Sequence, residues 1–168
     1  RPISPWDYTS MLKLHDPVVY DLKQPIIDEQ ENKEYALKLY HSNKEEIFNN
    51  EKNTLKEISH KNITKYIDSG RINITNNKYR DYLVLEYIKG QTIKQIVESG
   101  VSFSINRAIE VSDSFLSLAN CLKYIHSRNK FHGDIKPGNI IENLPGEFKF
   151  IDFNAFTDFR SGTIDYLP

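Results

Sequence analysis

Between Glu34 and Tyr40 the chain alternates with the two-residue period of a strand. Tyr35, Leu37 and Leu39 fall on one face, and Ala36, Lys38 and Tyr40 on the other. A small residue therefore shares its face with a lysine. The run Val18–Tyr20 is also β-rich, and the polar stretch Asp28–Lys33 separates the two. The period then changes. Ser42 followed by Glu45 has the spacing of a capping box, which predicts a helix start. Ile47, Leu55 and Ile58 fall on one stripe of that helix, with Glu51 in the middle of it. A carboxylate on an apolar face needs a partner or water. Taken by itself, such a glutamate is more often a boundary residue reaching solvent. Strands are expected again at Ile63–Ile67 and Tyr82–Tyr87, on either side of a turn-rich segment, Ser69–Asn77.

Gly90 punctuates the chain, and a short helix is expected over about Thr92–Glu98. The longest helix starts near Ser104 and ends near His126. Along it, Ala108, Val111, Phe115, Leu118, Leu122 and Ile125 are three and four apart and predict one continuous buried stripe. The polar loop His132–Asn139 follows, then a short strand at Ile140-Ile141 and a turn over Asn143–Gly146. A strand over Phe148–Ile151 then runs into Asp152. The pattern is a strand-rich half with one helix, then a helical half with a polar loop and a hairpin. The two meet near Tyr87–Gly90, and the chain contains no internal repeat.

Composition narrows the class. A chain of 168 residues is one domain or two small lobes, and 39% apolar residues suffice for a core. With 22 basic and 23 acidic side chains the formal net charge is −1, so a general nucleic-acid-binding surface is not expected. A local basic patch stays open. Cys121 is the only cysteine, which excludes an intrachain disulfide and a cysteine zinc cluster. No apolar run approaches the ~20 residues of a membrane span, and the first residues lack a signal-peptide core. The expectation is a soluble chain of a reducing compartment without membrane partners. A cytoplasmic setting fits best, with a nuclear or host-cell cytosol left open. Because the chain starts at Arg1 and stops at Pro168, it reads as part of a longer protein. The sequons at Asn62 and Asn73 read as chance in an Asn-rich chain.

Asp134, Lys136 and Asn139 sit in a loop after a buried helix, and Asp152 ends a strand expected to pair back beside them. Two carboxylates, an amide and an ammonium around one point suit phosphoryl transfer. Carboxylate and amide oxygens hold Mg²⁺, a carboxylate orients the attacking hydroxyl, and a cation offsets moving charge. Each residue also has a plainer reading, since Lys-Pro-Gly-Asn is a generic turn and a lone His132 is usually a satisfied core histidine.

At this point a resemblance enters. H-G-D-I-K-P-G-N at 132–139 resembles the protein-kinase catalytic loop, H-R-D-L-x-x-x-N, and D-F-N at 152–154 resembles D-F-G. A-L-K at 36–38 matches the end of V-A-I-K, and N-E-K-N-T-L at 50–55 is similar to the αC segment with its lysine-pairing glutamate. L-V-L-E-Y at 83–87 looks like the strand entering the hinge, and G-T-I-D-Y-L-P at 162–168 like the run before A-P-E. Six matches occur in the family's order over about residues 18–168.

The resemblance implies an α+β, bilobal kinase-like fold. Residues 1–88 would form an antiparallel β N-lobe with one αC helix, and 89–168 an incomplete, mainly helical C-lobe. It implies ATP and Mg²⁺ as cofactors and a protein substrate. Lys38 would contact the α- and β-phosphates with Glu51 as its ion-pair partner, which accounts for the carboxylate on the apolar stripe. Asp134 would be the catalytic base, Lys136 would neutralise transferring charge, and Asn139 and Asp152 would ligate metal. Glu86 and Ile88 would meet adenine through hinge backbone groups, with Leu85 as gatekeeper and Val19, Ala36 and Ile141 around the ring. Leu55, Tyr66, His132 and Phe153 would stack as a hydrophobic spine. Lys136 and Thr163 point to serine or threonine acceptors.

The sequence departs from the family in four places. Leu12, Leu14 and Pro17 stand where the glycine-rich loop has glycines, and Pro17 has no N–H to offer a phosphate. Gly133 replaces the arginine that normally meets an activation-segment phosphate, as it does in the vaccinia-related kinases. Asn154 replaces the glycine of D-F-G, a residue type that tolerates a left-handed backbone. The chain also stops before A-P-E, so the stripe from Ala108 to Ile125 is expected to need cover, from further chain or from a regulatory protein partner. Two readings follow: an active serine/threonine kinase, or a pseudokinase that binds and regulates.

Overall fold

The computed structural model describes residues 21–28, 33–75, 78–100, 102 and 104–153. Val19, the glycine-loop positions Leu12, Leu14 and Pro17, Asn154 and the run 162–168 lie outside them. The chain forms two compact units, one from residues up to Asn49 with Tyr66–Tyr87, the other from Asn50–Lys65 with the residues from Ile88 onward.

The first unit is a four-stranded antiparallel sheet of β1 (Asp21–Asp28), β2 (Lys33–Tyr40), β3 (Tyr66–Thr75) and β4 (Lys78–Glu86), in the order β1-β2-β4-β3. Leu37, Ile72, Tyr82 and Val84 form its core, with Tyr35 and Leu39 packed against them. The alternation of β2 thus puts Tyr35, Leu37 and Leu39 inside, as its period predicts. The segment Ser69–Asn77, expected as turn, is mostly strand: β3 runs through it to Thr75. Its polar residues are tolerated because β3 is an edge strand, and one of them is paired across the ladder. Arg71 lies opposite Asp81 and bonds both of its carboxylate oxygens, at 2.7 and 3.1 Å. Strand structure also starts later than Ile63, at Tyr66.

A 3-10 turn over Ser42–Lys44 leads into α1 (Glu45–Glu57), whose residues from Asn50 belong to the second unit. The N-cap position is His41 rather than Ser42, because the tight turn closes one residue early, with Lys44 N–H donating to the His41 carbonyl at 2.8 Å. Glu51 is fully buried beside the stripe residues Leu55 and Ile58, so it is no boundary residue reaching solvent.

In the second unit, β5 (Gln91–Thr92), β6 (Ile140–Leu144) and β7 (Glu147–Phe150) form an antiparallel sheet in that order. Gly90 leads into β5, and a Cβ there would meet the carbonyl oxygen of Glu142 at 1.9 Å, so only glycine fits this close approach. Helix α2 (Ile93–Glu98) opens on a complete capping box between Thr92 and Gln95. Helix α3 (Ile105–His126) opens on Ser104, whose Oγ accepts from Arg107 N–H at 3.2 Å.

The expected stripe of α3 is only partly buried. The seam is Ser114, Leu118, Cys121 and Ile125, while Ala108 is exposed and Phe115 is 48% exposed. Small Ser114 and Cys121 allow close packing, and the Ser114 hydroxyl donates to the Gly146 carbonyl in the β6–β7 turn. Phe115 stacks on Phe148 with centroids 6.1 Å apart. After α1, residues 62–64 are stitched to β7. Phe150 N–H donates to Asn62 O at 2.8 Å, and Thr64 N–H to Phe150 O at 3.1 Å. The Asn62 amide is used inside the fold, bonding Phe148 O and the Ser117 hydroxyl. Among the described residues no helix is long and apolar enough to cross a membrane.

Candidate active site

The loop between α3 and β6 is shaped by His132, which is 1% exposed. Its Nε2–H donates to the Ile151 carbonyl at 2.9 Å, and its Nδ1 accepts the Asp134 N–H at 3.3 Å. Donor on one nitrogen and acceptor on the other describe a neutral ring acting as a brace. Its ring lies 4.5 Å from Phe153 and 5.2 Å from Phe150. Leu55, His132 and Phe153 are all buried in this unit, while Tyr66 belongs to the other.

Between His132 and Asp134 the chain passes through Gly133 at φ 82°, a left-handed backbone that glycine adopts without strain. Asp134 is 8% exposed. Its Oδ2 meets Lys136 Nζ at 2.7 Å and accepts from Asn139 Nδ2 at 2.9 Å. The same Nδ2 also donates to the Asp134 carbonyl at 2.9 Å. A 3-10 turn over Pro137–Asn139 makes this possible by folding the loop back, with Asn139 N–H donating to Lys136 O at 2.9 Å. Ile151 N–H donates to the Asn139 carbonyl at 3.0 Å, which brings the start of Asp152-Phe153 beside the loop. Asp152 has φ 58°, left-handed for a residue with a side chain.

The structure therefore brings Asp134, Lys136 and Asn139 into direct contact and fixes Asp152 next in chain to their backbone partner. Asn139 Nδ2 is turned toward Asp134, which orients its amide oxygen the other way. Among the described residues no three His, Cys, Asp or Glu side chains converge on one point. An amide oxygen and a carboxylate are nonetheless the hard donors that Mg²⁺ takes when phosphates supply the rest, so this donor set fits the ion.

In the first unit Ala36 pairs with Leu85, Tyr35 with Glu86 and Lys38 with Leu83 along β2 and β4. Lys38 and Ala36 are half-buried, and Lys38 Nζ is 5.5 Å from the Tyr40 ring centroid. In the second unit Ile88 is buried, and Ile141 pairs with Thr92. Sequence reading missed two supports of this site. One is the left-handed backbone at Gly133, for which the glycine itself was the signal. The other is Asn62, whose bonds to Phe148 and Ser117 help hold β7; nothing in its local sequence marks it.

A loop in which a buried aspartate is held by a lysine two residues on and an asparagine five on defines the protein-kinase class. The protein kinase domain family matches residues 24–165. The chain is 31% identical to the DNA damage response protein kinase DUN1 of Saccharomyces cerevisiae over 86% of this chain and 29% of the yeast protein. It is 32% identical to the probable serine/threonine-protein kinase PknB of Bifidobacterium longum over 63% of this chain and 16% of that protein. To serine/threonine-protein kinase Aurora-2 of Arabidopsis thaliana it is 38% identical over 53% of this chain and 33% of the plant protein. The chain thus spans a third or less of each of these relatives. It belongs to the protein kinase family, with that family's α+β fold.

Proposed function

We propose that this chain is the catalytic part of an ATP- and Mg²⁺-dependent kinase that phosphorylates serine or threonine on a protein substrate. The observation that supports it most is the bonded set Asp134–Lys136–Asn139 with Asp152 beside it. Asp134 orients the attacking hydroxyl and takes its proton. Lys136, already 2.7 Å from Asp134, offsets charge on the moving phosphoryl group. Asn139 and Asp152 would hold Mg²⁺, which when bound neutralises the phosphates and aligns the γ-phosphoryl group. Lys38, steadied by Glu51, contacts the α- and β-phosphates. Leu85, Glu86, Ile88, Val19, Ala36 and Ile141 receive adenine. In this reading residues 1–88 act as the N-lobe and 89–168 as the C-lobe of a cytoplasmic enzyme, open to regulation by a protein partner.

The test is transfer of labelled phosphate by the full-length protein to a serine-containing protein, beside Asp134→Asn. Loss of the base is expected to lower kcat by roughly 100-fold or more while ATP still binds. The second reading, a pseudokinase, is favoured by Leu12, Leu14 and Pro17 in place of the loop glycines. Equal silence of wild type and Asp134→Asn, with ATP bound, selects it.

A further inference from the structure

Cationic side chains gather in the second unit where two stretches of chain meet. The stretch after α1 and the end of α3 lie against each other there. Ser59 N–H donates to Tyr124 Oη at 3.0 Å, and the rings of His60 and Tyr124 are 5.4 Å apart. The Arg128 guanidinium lies 4.5 Å from the Tyr124 ring centroid, and Lys130 Nζ meets Glu57 at 2.8 Å. Residues 57–61 and 123–130 contribute Lys61, Lys123, Arg128 and Lys130 against one carboxylate, Glu57, which Lys130 engages. Lys61, Lys123 and Arg128 are exposed. In a chain of net charge −1, so uneven a distribution makes a local positive field. Two groups lie beside these cations. Burial and the Lys61 ammonium hold His60 below its ordinary pKa, and the Ser59 amide and Arg128 lower that of Tyr124.

We infer that this face docks an acidic, Asp- and Glu-rich segment of the protein substrate. The inference rests on the kinase reading for the identity of the partner, but not for the binding itself. Three of the four cations are lysines, mobile point charges suited to carboxylates spread along a chain. The one guanidinium lies over Tyr124, so the planar fork that clamps a single phosphate bidentately is not repeated across the face. Such a surface speeds encounter and selects partners by charge, and its binding weakens with salt.

The experiment uses the full-length protein and a fluorescent Asp/Glu-rich peptide without Ser, Thr or Tyr, read by anisotropy. Saturable binding that weakens as salt rises is expected. Lys61→Glu with Lys123→Glu, both exposed and outside the bonded set of the catalytic loop, should weaken it by about tenfold or more with an unchanged melting curve. Substrate carrying an acidic tail should then show a raised KM in that variant and an unaltered kcat. Because the peptide arm needs no turnover, an inactive kinase leaves the docking result readable. Wild-type affinity in the double variant overturns the inference. So does equal binding of single-stranded RNA or phosphatidylserine vesicles, which would make the face a general polyanion surface.

Discussion

Gly133 sits where most of the family carries an arginine, and its φ of 82° shows what the local backbone requires. Gly133→Arg is expected to cost about 1–2 kcal/mol of stability, since a Cβ in this region meets the neighbouring carbonyl; urea unfolding measures it. Restoring the family's residue would therefore weaken the loop that positions Asp134. Cys121 is a second residue whose setting makes a measurable difference. It is fully buried in the seam of α3, and burial pushes its thiol from 9.0 up to about 12. The folded chain keeps this proton where the unfolded chain loses it. Its contribution is complete below pH 9 and declines as pH rises toward 12. The urea midpoint of wild type should fall more steeply across that range than that of Cys121→Ala, and thiol reagents should modify the native chain slowly.

At the scale of elements, Arg71 joins three of them in the first unit. It bonds Asp81 on β4 from its place on β3, and its Nη2 reaches Glu45 at the start of α1 at 3.0 Å. Asp81 is 2% exposed, whereas the Glu45 side chain is 53% exposed. The two ends of this bridge should respond unequally. Arg71→Ala strands a buried carboxylate and should destabilise far more than Glu45→Ala, which removes only a solvated pair; paired urea titrations decide it. The same elements show what sequence could reveal. The face of β2, the hairpin β6–β7 and the polar loop of Asp134 were legible, because a two-residue period and a spaced polar motif survive folding unchanged. The strand through Ser69–Thr75 was not, because its polar residues signal turn until Arg71 is seen opposite Asp81. The buried face of α3 was legible at Leu118 and Ile125 but not at Ser114 and Cys121, which carry little hydrophobic signal, yet whose size lets the hairpin approach. Burial of Glu51 followed from family resemblance rather than from hydropathy, which by itself favours an exposed boundary glutamate.

For the whole molecule, the catalytic and the regulatory readings differ in what nucleotide does to stability. A ligand that binds only the folded chain stabilises it by mass action, by about 2.7 kcal/mol at a hundred times its Kd. For a domain of this size that is a rise in Tm of roughly 5–10 °C. ATP with Mg²⁺ should produce such a rise in the full-length protein. ATP alone should produce less, because the phosphates then face Asp152 without a counter-ion. Asp152→Ala should remove the difference between the two conditions, since the carboxylate next to the Asn139 backbone partner is half of the proposed metal donor set. Asp134→Asn should keep the full Mg²⁺-dependent rise while losing transfer, because its part is played on the hydroxyl rather than on the nucleotide. Lys38→Ala should lower the rise in both conditions alike. A rise that does not depend on Mg²⁺, and that Asp152→Ala leaves intact, would mean that the loop around Asp134 is kept as scaffold, and the chain would then act through binding alone.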